Sequence, residues 1–288
     1  MTKLAALVHR LPQYLGTAAL LLWVGTFGFQ NPASAREGRD LEKLLADLSK
    51  EDLNELFVFV AGNTLFTLYH ESGHMLVSEL GLPVLAQEED AVDNLATVSM
   101  LAAGSEDMDL FLTNAMVGWF LIADENYDNL VFYDEHDLDQ QRGYRMLCLM
   151  VGSDEEAFID LALELGLPEE RIETCSIDYE QVSASWEVTT DPFVRDSETP
   201  AGKIKIVYDP AQADLEPLAL FLKESTLMEL VAREIDTFYQ LPEMITFRAK
   251  TCGMENAFWD PDTREVILCH ELLAGFAELY LDSLAAED

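Results

Sequence analysis

The chain has 288 residues, 49% of them apolar or aromatic, with 54 acidic against 17 basic side chains and a formal net charge of −37. That length can bury one sizeable core or two small ones. So acidic a chain repels phosphate backbones and anionic membrane surfaces, which excludes nucleic acid as a partner. The charge alone leaves open whether it serves solubility, a saline milieu or the selection of cationic peptides.

Residues 1–35 carry Lys3 and Arg10 without an acid, an apolar run from Leu15 to Phe29, then Pro32 and the small-residue pattern Ala33-Ser34-Ala35. This predicts a secretory signal peptide and an exported protein, periplasmic or secreted. The apolar run is short for a membrane span, so no stable insertion is expected after cleavage; an uncleaved anchor is the alternative. Removing the leader leaves 15 Lys and Arg against 54 Asp and Glu, a net charge of −39. All four cysteines lie in the exported part, and an even count there reads as disulfides. Cys252 and Cys269 fall in one hairpin-like unit and are paired, which leaves Cys148 with Cys175.

After a polar stretch from Arg36 to Lys50, the run Leu56 to Tyr69 is apolar on nearly every side, as in a helix buried within a domain. It leads into His70-Glu71-Ser72-Gly73-His74. Histidines four apart on a helix lie one above the other and can offer two imidazole nitrogens to one metal ion. Glu71 then stands beside the open coordination position, where it can accept a proton from water: the H-E-x-x-H arrangement of zinc peptidases. Gly73 costs the helix about 1 kcal/mol relative to alanine, so a close approach by another backbone or a substrate is expected there. Gly81 and Pro83 end the helix.

Gln87 to Ala96 reads as the acidic first turns of a second helix. A catalytic zinc site needs a third protein ligand, and the candidates are Glu88, Glu89 and Asp90. Glu89 is preferred because Asp93, one turn later on the same face, can then accept the free ring N–H of a ligand histidine. Asp90 with Asn94 is the competing pair. Asn63, two turns before His70, either lines the same cleft or caps a helical segment.

Further helices are expected over Ser105 to Ala123 and Leu138 to Val151. Another should follow a capping box at Ser153 and Glu156, ended by Gly166 and Pro168, and one more run from Tyr179 to Trp186. Periodicity is lost from Thr190 to Gly202, the best internal boundary. Beyond it, Lys203 to Tyr208 reads as a strand, Leu218 to Tyr239 as one helix and Ile245 to Lys250 as a second strand. Ala257 to Trp259 and Arg264 to Cys269 read as a hairpin, followed by a helix to about Leu281. His270-Glu271 lacks a histidine partner at Ala274 and is read as a helix N-terminal turn. The expected fold is α+β and mainly helical. It has a helical metal-binding half over 36–195 and an α/β half over 203–288, docked on the first as one catalytic domain.

His70-Glu71-Ser72-Gly73-His74 with Glu89 and Asp93 resembles the gluzincin branch of zincin peptidases. More closely, Gly62-Asn63-Thr64-Leu65-Phe66, the HESGH block, Gly81-Leu82-Pro83-Val84-Leu85, Glu88-Glu89-Asp90-Ala91, Tyr133-Asp134-Glu135-His136 and Cys252-Gly253…Leu268-Cys269 resemble a family of exported bacterial metallopeptidases of unassigned substrate. The resemblance covers most of residues 50 to 282. Zincins usually place their sheet before the H-E-x-x-H helix; here the strands follow it, so the order would be permuted. The resemblance implies one Zn²⁺ per chain, held by His70, His74 and Glu89, and a peptide or protein substrate. Glu71 is then the general base, and Tyr133 or His136, with Arg142 behind them, the donor to the developing oxyanion. The rival function is an exported zinc-binding or scaffold protein without turnover. Cleavage of a cell-wall peptide crosslink would share the chemistry and differ in the groove.

Overall fold

The computed structural model describes residues 41–286 apart from Ser197, so the expected signal segment 1–35 lies outside the described residues. A short helix α1 (Leu41–Asp47) leads into α2 (Lys50–Leu80), the longest of the described helices. Ser49 caps α2, its Oγ accepting the Asp52 N–H at 3.1 Å. Gly81 ends it in the left-handed region at φ 62°, returning its N–H to the Val77 carbonyl. From Leu56 to Leu76 nearly every residue of α2 is buried. A helix apolar on all sides has no face to give to water, so the other elements assemble around it.

The helical half continues with α3 (Glu88–Ala102), α4 (Glu106–Glu125), α5 (Asp139–Ser153), α6 (Glu155–Glu164) and α7 (Glu169–Thr190). The Cys148–Cys175 disulfide ties α5 to α7. Two local readings are corrected. Ser153 closes α5, its Oγ donating to the Met150 carbonyl at 2.7 Å, and Asp154 caps α6 by accepting the Ala157 N–H at 3.0 Å. The helix expected over 179–186 begins ten residues earlier, because only Ile172, Cys175 and Thr190 along α7 are buried and leave little periodicity to read.

The last third forms β1 (Ile204–Tyr208), α8 (Glu216–Ser225), α9 (Leu227–Phe238), β2 (Ile245–Lys250), β3 (Ala257–Asp260), β4 (Glu265–Cys269) and α10 (His270–Ala285). The single helix expected over 218–239 is two, broken at Thr226, whose φ of 57° no α-helix accommodates. The sheet runs β1-β2-β4-β3; β1, β2 and β4 are parallel, and the hairpin strand β3 is antiparallel at the edge. One face, with Ile245, Phe247, Ala249, Val266 and Leu268 fully buried, belongs to the core. The Cys252–Cys269 disulfide joins the loop after β2 to the end of β4.

Around α2 stand α3, α4, α9, α10, β3 and β4. Tyr280 of α10 donates its hydroxyl to Glu55 at 3.1 Å, and its ring lies 5.5 Å from that of Phe59. Asn63 does not line a cleft. Its Nδ2 donates to the Phe59 and Asn114 carbonyls, and its side chain fills the space left by Gly118, so it fastens α2 to α4. No helix among the described residues is long and apolar enough to cross a membrane.

His270, at the first turn of α10, is buried, and burial pushes its imidazole below the ordinary range against the pull of Glu271 and Asp209. A histidine depressed in the fold contributes its full stability above the unfolded pKa of about 6.5 and loses it progressively as pH falls from there through the lower folded value. Between about pH 7.5 and 5.5, wild type should therefore lose more urea resistance than His270→Asn. Parallel losses in the two proteins would show that His270 does not titrate there.

Candidate metal centre

His70 and His74 lie one turn apart on α2, their rings edge to face with centroids 4.9 Å apart and their Nε2 atoms 3.2 Å apart. From α3, Glu89 brings its Oε2 to 3.2 Å from His70 Nε2 and 3.4 Å from His74 Nε2. Gly73 permits this approach. A Cβ there would lie 2.8 Å from the Cβ and Cγ1 of Val92, so α3 rests directly on the α2 backbone.

The outer nitrogens of both imidazoles are occupied. His70 Nδ1 is 2.8 Å from Asp93 Oδ1, and His74 Nδ1 is 2.8 Å from Glu88 Oε1. A carboxylate only accepts, so each Nδ1 carries the proton and each Nε2 turns a lone pair inward. Two nitrogen lone pairs and one carboxylate oxygen then face one another with no proton among the three atoms. Such a triad repels itself unless a cation stands between its members. The spacing fits one: tetrahedral zinc with bonds of about 2.0–2.1 Å sets its ligand atoms about 3.3 Å apart. In the chain alone, protons partly meet the same need. Burial pushes His74 down, but Glu89 and Glu88 outweigh it and raise the imidazole to about 9. His70 is likewise raised, by Asp93 and Glu89 against burial, and the three imidazoles around Glu89 hold its carboxyl far below the usual range despite burial.

Glu71 points into the same site and is buried. Burial raises its carboxyl above the ordinary range, while His70, His74 and the Trp259 backbone N–H, which donates to it, pull the other way. Trp259 lies on β3, so the edge of the C-terminal sheet reaches the H-E-x-x-H helix.

His136, on the loop between α4 and α5, places Nε2 2.9 Å from Glu89 Oε2 and stacks 17° from parallel with the His70 ring. His70, Glu89 and His136 thus form a second cluster with ligand atoms within 4.8 Å. His136 comes nearer to Glu89 than His74 does, but the helix fixes His74 one turn from His70 with the two Nε2 atoms 3.2 Å apart, while the side chain of His136 is 40% exposed. Tyr133 is not brought to the site: it is 92% exposed on the same loop. Asp90 turns away to Arg145 at 2.8 Å, and Asn94 lines a separate cavity with Arg145 and Arg171. Two partners went unread in the sequence. Glu88 was weighed as a ligand and stands as the acceptor of His74. Arg142 clamps Asp93 with Nε to Oδ2 at 2.7 Å and Nη2 to Oδ1 at 2.8 Å. The signals were there, since a second ligand imidazole needs its own acceptor and a buried carboxylate needs a cation.

Fold and site together define a mainly helical α+β protein built around a candidate metal centre. Over residues 37–189 and 208–287 the chain matches the family described as "putative metallopeptidase", and it belongs to that family. No curated protein and no solved structure matches it. Membership implies a metal ion and peptide substrates, and the two disulfides fit an oxidising compartment.

Proposed function

We propose that the protein is an exported zinc-dependent peptidase in which His70, His74 and Glu89 hold the ion and Glu71 is the general base. The observation that carries the reading is the convergence of His70 Nε2, His74 Nε2 and Glu89 Oε2 to within 3.2–3.4 Å of one another, while Asp93 and Glu88 occupy the outer Nδ1 atoms of the two imidazoles. Two imidazoles and one carboxylate are a donor set that suits zinc and leaves a fourth position open. Zinc bound there supplies a Lewis acid that polarises a peptide carbonyl and acidifies water.

The chain's own residues do the rest. Glu71 accepts the proton of the attacking water and passes it to the leaving amine as the C–N bond breaks. The Trp259 N–H holds one end of that carboxylate in place. His136, beside Glu89 and with Asp134 on its Nδ1, acts rather than Tyr133 as the donor to the developing oxyanion, as an imidazolium that carries a proton on Nε2 as well. In this reading residues 203–288 complete the catalytic unit begun by 36–195, and residues 1–35 direct export.

Elemental analysis tests the site. Purified wild type should carry close to one zinc per chain, and Glu89→Ala should lose most of it. Wild type without zinc after reconstitution would end the reading.

A further inference from the structure

Asp93 stands one turn after Glu89 on the same face of α3 and is the second carboxylate that this helix brings to His70. Yet Asp93 has nothing to give. Its Oδ1 accepts from His70 Nδ1 and from Arg142 Nη2, each at 2.8 Å, and its Oδ2 accepts from Arg142 Nε at 2.7 Å. Glu89 Oε2, by contrast, has no cationic clamp and faces only imidazole nitrogens, at 2.9–3.4 Å. We propose that Arg142 is a positioning residue that reserves the metal for Glu89, keeping Asp93 as the acceptor of His70 and out of the coordination sphere. The proposal rests on the zinc site inferred above.

The clamp is built rather than incidental. Arg142 and Asp93 are both buried, and the guanidinium lies 3.6 Å over the Trp119 ring. Trp119 meets Phe66 edge on at 6.3 Å, and Phe66 flanks the His70 ring at 6.4 Å. A guanidinium delivers two parallel N–H groups in one plane and can stack on an indole while doing so. An ammonium gives the same charge without the fork. Charge neutralisation alone would be met by lysine; ligand selection would not.

The test compares wild type, Arg142→Gln, Arg142→Lys and Arg142→Gln/Asp93→Asn. Zinc affinity is read by competition with a chromophoric chelator, the coordination shell by X-ray absorption of the zinc-loaded proteins, and stability by melting of the metal-free proteins. Arg142→Gln should bind zinc about 10–100-fold more weakly and show an additional oxygen at the metal that disappears in the double variant. Arg142→Lys should resemble Arg142→Gln, and it decides the matter if the glutamine variant does not fold. Unchanged zinc affinity and coordination with only a lower melting temperature, or a lysine variant that matches wild type, would overturn the proposal and leave Arg142 as a counterion. Wild type that binds no zinc would instead remove the site itself, a separate and visible failure.

Discussion

Glu71→Gln should lower the rate of peptide hydrolysis by about 10²–10⁴-fold, the range a positioned general base contributes, while zinc content stays at the wild-type level. Glutamine keeps the shape of the side chain, and its oxygen can still accept the Trp259 N–H. The residue is buried, so losing its charge also removes a desolvation cost, and folding should be preserved. What the variant cannot do is accept a proton. Release of new N-termini from a peptide mixture, followed by mass spectrometry, measures the difference. Equal turnover in the two proteins would remove the enzyme claim and favour a zinc-binding scaffold.

Gly73→Ala should weaken zinc binding by an order of magnitude or more, out of proportion to its effect on stability. Alanine gains the helix about 1 kcal/mol over glycine, and overpacking a core costs about 1–3 kcal/mol. The net loss of stability is therefore small. The geometric effect is not, because the added methyl meets Val92 at 2.8 Å through its Cβ, which no side-chain rotation can withdraw. The backbone of α3 must move away. Glu89 and Asp93 sit on either side of Val92 in the sequence and move with it, and misplacement by about 1 Å at such a site can cost 10²-fold. Calorimetric titration with zinc reads the affinity, and Val92→Gly added to Gly73→Ala, which removes that Cβ, should recover part of it. A Gly73→Ala protein with wild-type affinity would show that α3 is not held by this contact.

Much of this arrangement can be read from residue order alone, because it is local. Four-residue spacing puts His70 and His74 on one face, and Gly81 stops the helix. The turn Asp260-Pro261-Asp262-Thr263 folds β3 back on β4. Tertiary pairings leave no such trace. In the run Glu88-Glu89-Asp90, three acids of similar character go to three destinations: the outer Nδ1 of His74, the facing Nε2 atoms of His70 and His74, and Arg145. Only the way α3 docks on Gly73 separates them. Asn63 looks like a cleft residue until Gly118 is known to stand opposite. The break at Thr226 is invisible for a related reason. Apolar positions continue through it, and the left-handed residue that separates α8 from α9 is a threonine rather than a glycine.

The packing of α10 on α2 also orders events during synthesis. The helix that bears both histidines leaves the ribosome some two hundred residues before Tyr280, the partner of Glu55 and Phe59. Until then Phe59, fully buried in the finished fold, lacks the Tyr280 ring, and until β3 arrives Glu71 lacks the Trp259 amide. Contacts this distant in sequence form late, because the loop must close before they repay its entropy. A nascent or truncated chain therefore presents the motif without its setting, and the assembled site waits on the last helix.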